Sequence, residues 1–167
     1  HPDHLGGASF FPHATFILTK EVYEVYQKPK LKDLIFKEFL PASFEKNLTI
    51  IRADQQVSTF PYRPICDLFG DGSILVASVD GHARGQACLY FPDLNLLIAA
   101  DLCWGIDLLP YTKQMHLIPS FVQDNKSDYI RWTEFLEEVL KDGIEVVVSH
   151  DPVERIESIL HEKNNLS

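Results

Sequence analysis

The sequence predicts an α/β fold, and three observations carry the prediction. Apolar and β-branched runs of strand length alternate with stretches of helical periodicity. Glycine, aspartate, asparagine and proline fall between those runs, where turns are needed. The chain has 167 residues, 46% apolar and 23% charged, an ordinary composition for a globular domain with one sizeable core.

Residues Ala14 to Thr19 are β-branched and aromatic and read as a strand. Lys20 to Gln27 reads as a short helix, and Leu31 to Leu40 as a second, with apolar positions at 31, 34, 35 and 39. Leu48 to Arg52 is a strand. Asp67 to Val79 reads as a hairpin turning at Asp71-Gly72. Ser73 to Val79, Gln86 to Phe91 and Leu96 to Ala100 are three successive strands, with Asp93 and Asn95 turning between the last two. Gly105 to Lys126 is the least regular stretch and is expected to carry substrate-facing loops. Asp128 to Asp142 is the clearest helix, with an apolar stripe of Ile130, Phe135, Val139 and Leu140, solvated charges at Glu134, Glu137, Glu138 and Lys141, and a glycine stop at Gly143. Ile144 to Val148 is a buried strand, and Pro152 opens a final helix running to about Glu162.

Charge and composition exclude whole classes of function. Lys+Arg 15 against Asp+Glu 24 leaves a net charge of −9, and no basic cluster offers a phosphate-reading surface. A nucleic-acid partner is therefore not expected. No apolar run approaches the roughly 18 to 20 residues of a membrane span, so a membrane role is not expected either. Cys66, Cys88 and Cys103 are odd in number and lack C-x-x-C spacing, which suggests reduced thiols and a cytoplasmic setting.

The chemistry lies in where histidine and aspartate fall. His1, Asp3 and His4 cluster in one loop-like stretch. His82 follows the strand ending at Val79, Asp101 closes the strand ending at Ala100, and His150 follows the strand ending at Val148. Strand ends on one edge of an α/β sheet are neighbours, and sites form there. Imidazole together with carboxylate suits Zn²⁺ and related ions. His13, His116 and His161 lack such company and read as surface or loop residues.

Four segments together resemble the metallo-β-lactamase superfamily. His1-Pro2-Asp3-His4-Leu5-Gly6-Gly7 resembles the back of its H-x-H-x-D-H-x-G-G signature. Asp80-Gly81-His82-Ala83-Arg84-Gly85-Gln86 resembles its P-G-H-x-x-G-H segment, Ala99-Ala100-Asp101 its x-G-D strand end, and Ser149-His150-Asp151 its terminal histidine. The S-H-D ending and Asp101-x-x-Trp104 are most similar to the lactonase-like branch related to acyl-homoserine lactonases. The resemblance implies the later part of an αββα sandwich and a two-zinc centre. One ion would use His1 and His82, the other Asp3, His4 and His150, with Asp101 bridging and Asp3 relaying a proton of the shared water. It implies hydrolysis of a small-molecule ester, lactone or thioester, a glyoxalase II-like thioesterase or an inactive remnant being the alternatives.

The chain departs from the pattern at three places. The signature's first histidine is absent, so residues 1–167 are expected to form a single domain lacking its N-terminal part. The His1/His82 ion would then be the weaker one, and uncovered sheet edges favour self-association. Gln86 stands in place of the segment's second histidine and Asp80 in place of its proline. Trp104 stands where some lactonase relatives carry a tyrosine.

Overall fold

The computed structural model describes residues 2–112 and 126–164. The chain divides into two compact units, His1–Arg52 and Ala53–Ser167. Among the described residues no helix is long and apolar enough to cross a membrane.

The first unit opens with a one-turn helix, α1 (Pro2–Leu5), and is built around a parallel pair of strands, β1 (Phe16–Thr19) and β2 (Leu48–Ile51). Helix α2 (Lys20–Gln27) follows β1 directly, and its boundaries are those the sequence predicts. Thr19 ends the strand and starts the helix, because its side-chain oxygen accepts from the Val22 amide at 3.3 Å. Tyr26 and Phe44 are the buried side chains that gather this unit, with ring centroids 5.2 Å apart and Phe16 4.9 Å from Phe44. The Tyr26 hydroxyl donates to Glu45 at 2.8 Å. Burial, then that carboxylate, pushes the phenol up to about 12.

The helix expected over 31–40 does not form. Two single 3₁₀ turns, Leu31–Asp33 and Lys37–Phe39, stand there instead. Asp33 accepts from the Lys30 amide, which closes the first turn on itself, and Leu34 then takes a left-handed conformation at φ 49°. Pro41 holds Leu40 extended, so the second turn cannot propagate either. Spacing alone suggests a helix; local capping overrides it.

The second unit carries a six-stranded sheet in the order β3 (Gln55–Val57), β4 (Phe60–Asp67), β5 (Leu75–Val79), β6 (Gln86–Phe91), β7 (Leu96–Ile98), β8 (Glu145–Val147). Neighbours are antiparallel except β7 and β8, which are parallel because α4 (Lys126–Lys141) lies between them in sequence. The hairpin between β4 and β5 is present, but its connection is wider than a two-residue turn. Asp67 accepts from the amides of Gly70 and Gly72, and Asp71 from that of Ser73. Strand β3 and the start of β4 carry no periodic signal, since Pro61 and Pro64 argue against a strand. Those prolines are tolerated because β4 pairs with β5 only from Ile65 onward and meets β3 in an irregular register.

The core lies on the sheet face under α4. Ile65, Ala77, Val79, Cys88, Leu97, Val146 and Val148 are buried there against Trp132, Phe135, Leu136 and Val139. Glu134, Glu137, Glu138 and Lys141 face outward, as the periodicity requires. The helix stops at Gly143, whose φ of 80° admits two reversed bonds, Gly143 N–H to the Leu140 carbonyl and Ile144 N–H to that of Val139. Helix α5 (Val153–Asn164) follows β8, starting one residue after Pro152. A short helix, α3 (Leu109–Thr112), precedes residues 113–125, so most of the expected substrate loop and His116 lie outside the described residues. The cysteines form no disulfide, and burial pushes the thiols of Cys88 and Cys103 up to about 12 and 11.

Candidate metal centre at the strand ends

Strands β5, β7 and β8 run in the same direction, so their carboxyl ends share one edge of the sheet. The residues following those ends are Asp80–His82, Asp101 and His150. The β7–β8 pairing continues past the strands, with Ala99 N–H donating to the Val147 carbonyl at 2.8 Å and Ser149 N–H to the Ala100 carbonyl at 3.0 Å. That extension sets His150 beside Asp101. Ala100 has φ 46°, a left-handed conformation costly for a side-chain-bearing residue, and this strain sits directly before the carboxylate.

His82 Nε2 lies 3.2 Å and His150 Nε2 4.0 Å from Asp101 Oδ2. Asp101 is 2% exposed and His82 7%, whereas His150 is exposed. A carboxylate so buried requires positive company. His82, at hydrogen-bond distance, meets that need as a donor, and both imidazoles meet it as co-ligands of a cation. Tetrahedral zinc with ordinary bond lengths holds its ligand atoms about 3.3–3.5 Å apart, and the two separations, 3.2 and 4.0 Å, bracket this range. The donor set and the geometry therefore fit a zinc-type ion.

Several groups hold this edge in shape. Asp80 accepts from the Gly85 amide at 2.7 Å, closing the turn that carries His82. Gly81, at φ 124°, lets the chain leave the strand into that turn. The Gln86 amide donates to the Ala99 carbonyl at 3.3 Å, so the residue that replaces a histidine ties β6 to the strand end before Asp101.

Asp151 is the positioning group that sequence reasoning did not assign. Its carboxylate accepts from Ile106 N–H at 3.0 Å, Val148 N–H at 3.0 Å and Arg155 Nη1 at 2.7 Å, while Arg155 Nη2 reaches Glu145 at 3.0 Å. It thereby joins the segment after Asp101 to the turn carrying His150. Its only signal in the sequence is the aspartate of the S-H-D ending.

Asp3 and His4 belong to α1 of the first unit, and His1 lies outside the described residues. Trp104 is exposed just beyond Asp101, and Asp93 lies in a 3₁₀ turn (Pro92–Leu94) at the opposite end of β7.

No protein-family model and no curated protein sequence matches the chain. Solved structures do. A dizinc quorum-quenching lactonase, AidC, in complex with a product is similar at a TM-score of 0.66 and 17% identity, over 92% of this chain and 55% of that one. A mutant of B. thuringiensis AiiA with N-decanoyl-L-homoserine bound at the active site gives 0.59 and 17%, over 92% and 53%. A quorum-quenching N-acyl homoserine lactone hydrolase gives 0.59 and 18%, over 92% and 55%. The chain spans about half the length of the structures it matches. Over that half, it has the mixed α/β fold of N-acyl homoserine lactone hydrolases, the metallo-β-lactamase fold that its motifs resemble.

Proposed function

We propose that this chain carries the metal-holding strand edge of a zinc-dependent hydrolase acting on a lactone or related small ester. The observation that supports it most is the approach of His82 and His150 to one oxygen of the buried Asp101. In this reading His82, Asp101 and His150 would hold zinc. His1, Asp3 and His4 enter as further ligands on the strength of the His1–Gly7 resemblance, with Asp3 also relaying a proton, and residues 1–167 belong to one domain.

Bound zinc supplies polarisation of a substrate carbonyl and acidification of water. The chain's own residues do the rest. Asp101, buried and held by the strained Ala100 backbone, presents its carboxylate without needing to reorganise. Asp151 and Arg155 hold the backbone that carries His150, so its imidazole keeps a fixed approach. His150 and Trp104, both exposed, stand where a small substrate enters, while the apolar sheet interior excludes water behind the site.

Zinc titration of two variants tests the assignment. Asp101→Ala should lose most bound zinc and all turnover of a lactone panel, whereas Asp93→Ala should lose neither. Equal zinc content in the two variants overturns it. Preferred turnover of thioesters over lactones would move the reading to a glyoxalase II-like thioesterase, and zinc binding without turnover to an inactive remnant.

A further inference from the structure

A second cluster lies at the same edge of the sheet, outside the metal-holding residues. The guanidinium of Arg63, from β4, stacks on the indole of Trp132, from α4, with its carbon 3.6 Å from the ring centroid. Arg131, the preceding residue of α4, approaches the same ring at 5.8 Å. Arg63 Nε and Trp132 Nε1 are both buried, and neither has an acceptor. Neither arginine forms an ion pair among the described residues.

Such a grouping is costly and asks for a cause. Buried donors in folded proteins are nearly always satisfied. Two like charges on one ring repel, and on a chain with 24 acidic residues against 15 basic ones a carboxylate partner is easy to supply. The nearest carboxylates act only at longer range. Burial first and Arg131 second lower the Arg63 pKa, while Asp80 and Asp128 raise it. Asp80 is engaged by the Gly85 amide.

Position gives the cluster a use. Arg63 lies two residues before Ile65, the first residue of β4 that pairs with β5, and Ile65 faces Ala77, so Arg63 stands toward the end of the sheet where β5 gives way to the turn carrying His82. We propose that Arg63, Arg131 and Trp132 form a subsite for a carboxylate on the substrate, so that the hydrolase accepts an anionic acyl compound. A carboxylate is acceptor-only, and its two oxygens match the planar guanidinium fork. The assignment of this carboxylate to a substrate rests on the hydrolase reading; binding of a carboxylate does not.

The test uses the 167-residue chain without added metal, in a Trp104→Phe background so that fluorescence reports Trp132 alone. The probes are hexanoate, inorganic phosphate and the neutral hexanamide. Hexanoate should change Trp132 emission saturably and hexanamide should not. Arg63→Gln should weaken hexanoate binding by about tenfold or more, as loss of a charge-assisted fork requires. Arg131→Gln, on the exposed face of α4 where it does not threaten folding, should weaken it by a smaller factor. The site is overturned if hexanoate gives no saturable change or if Arg63→Gln with native circular dichroism binds it as well as the parent. The carboxylate assignment is overturned if phosphate binds more tightly. Zinc titration separates the two proposals, because Arg63→Gln should bind zinc like the parent. A parent chain that binds no zinc would end the hydrolase reading and leave the anion result standing.

Discussion

Replacing Asp151 by alanine should destabilise the second unit by about 4 kcal/mol, and the figure follows from what its carboxylate does. It accepts from two backbone amides, Val148 and Ile106, and from the Arg155 guanidinium, with its side chain 1% exposed. Each backbone bond is worth about 1 kcal/mol net, and a charge-assisted bond about 1.5–3 kcal/mol, rising where a buried donor is left without an acceptor. Arg155 is itself largely covered, so little of the loss is recovered by water. Urea unfolding followed by fluorescence and circular dichroism measures the change. With an m-value of about 2 kcal/mol/M, the midpoint should fall by about 2 M. Asp151→Asn keeps the shape and one acceptor, and should fall between the parent and the alanine variant. Because the same carboxylate holds the turn carrying His150, zinc affinity of the folded Asp151→Asn protein should drop by about tenfold or more. A loss of under about 1 kcal/mol for Asp151→Ala, or unchanged zinc affinity in Asp151→Asn, would refute the reasoning, since it would be no more than an ordinary surface change.

Leu136, fully buried between α4 and the sheet, should cost about 2–5 kcal/mol on truncation to alanine, read by the same urea titration. Glu137→Gln, on the outward face of that helix, should leave zinc content unchanged and stability within about 0.5 kcal/mol, checked by metal analysis and unfolding. Tyr62, whose hydroxyl donates to Asp142 at 2.6 Å, has its phenol pushed up from 10.0 to about 12, by burial first and that bond second. A raised folded-state value means that its contribution is complete below pH 10 and is lost as pH rises through about 12. The decline in stability over that window should be shallower in Tyr62→Phe, measured by unfolding at alkaline pH.

Much of this protein is legible in its sequence because strands and helices leave periodic marks. The β-branched run Val146–Val148, with Ile144 two residues ahead of it, marks a largely buried strand, and Lys20–Gln27 and the helix ending at Gly143 are bounded by a threonine cap and a glycine stop. The histidines and aspartates after strands also stand out, since a polar, metal-competent group closing an apolar run is costly to desolvate unless a cation or a hydrogen-bond partner meets it. The segment 31–40 misleads because its spacing is helical while Asp33, Leu34 and Pro41 close each turn locally. Strand β3 and the start of β4 escape notice because Pro61 and Pro64 are tolerable only beside an irregular neighbour, a fact of pairing and not of composition. Tertiary structure alone decides which strand ends meet. The parallel pairing of β7 with β8, continued through Ala100 and Ser149, sets His150 beside Asp101 across a gap of nearly fifty residues. It alone shows that Asp151 spans that junction and that Arg63 and Arg131 converge on Trp132. Local sequence encodes periodicity and caps, because those depend on neighbours along the chain. Convergence of charges depends on register and packing between distant segments, which no local pattern records.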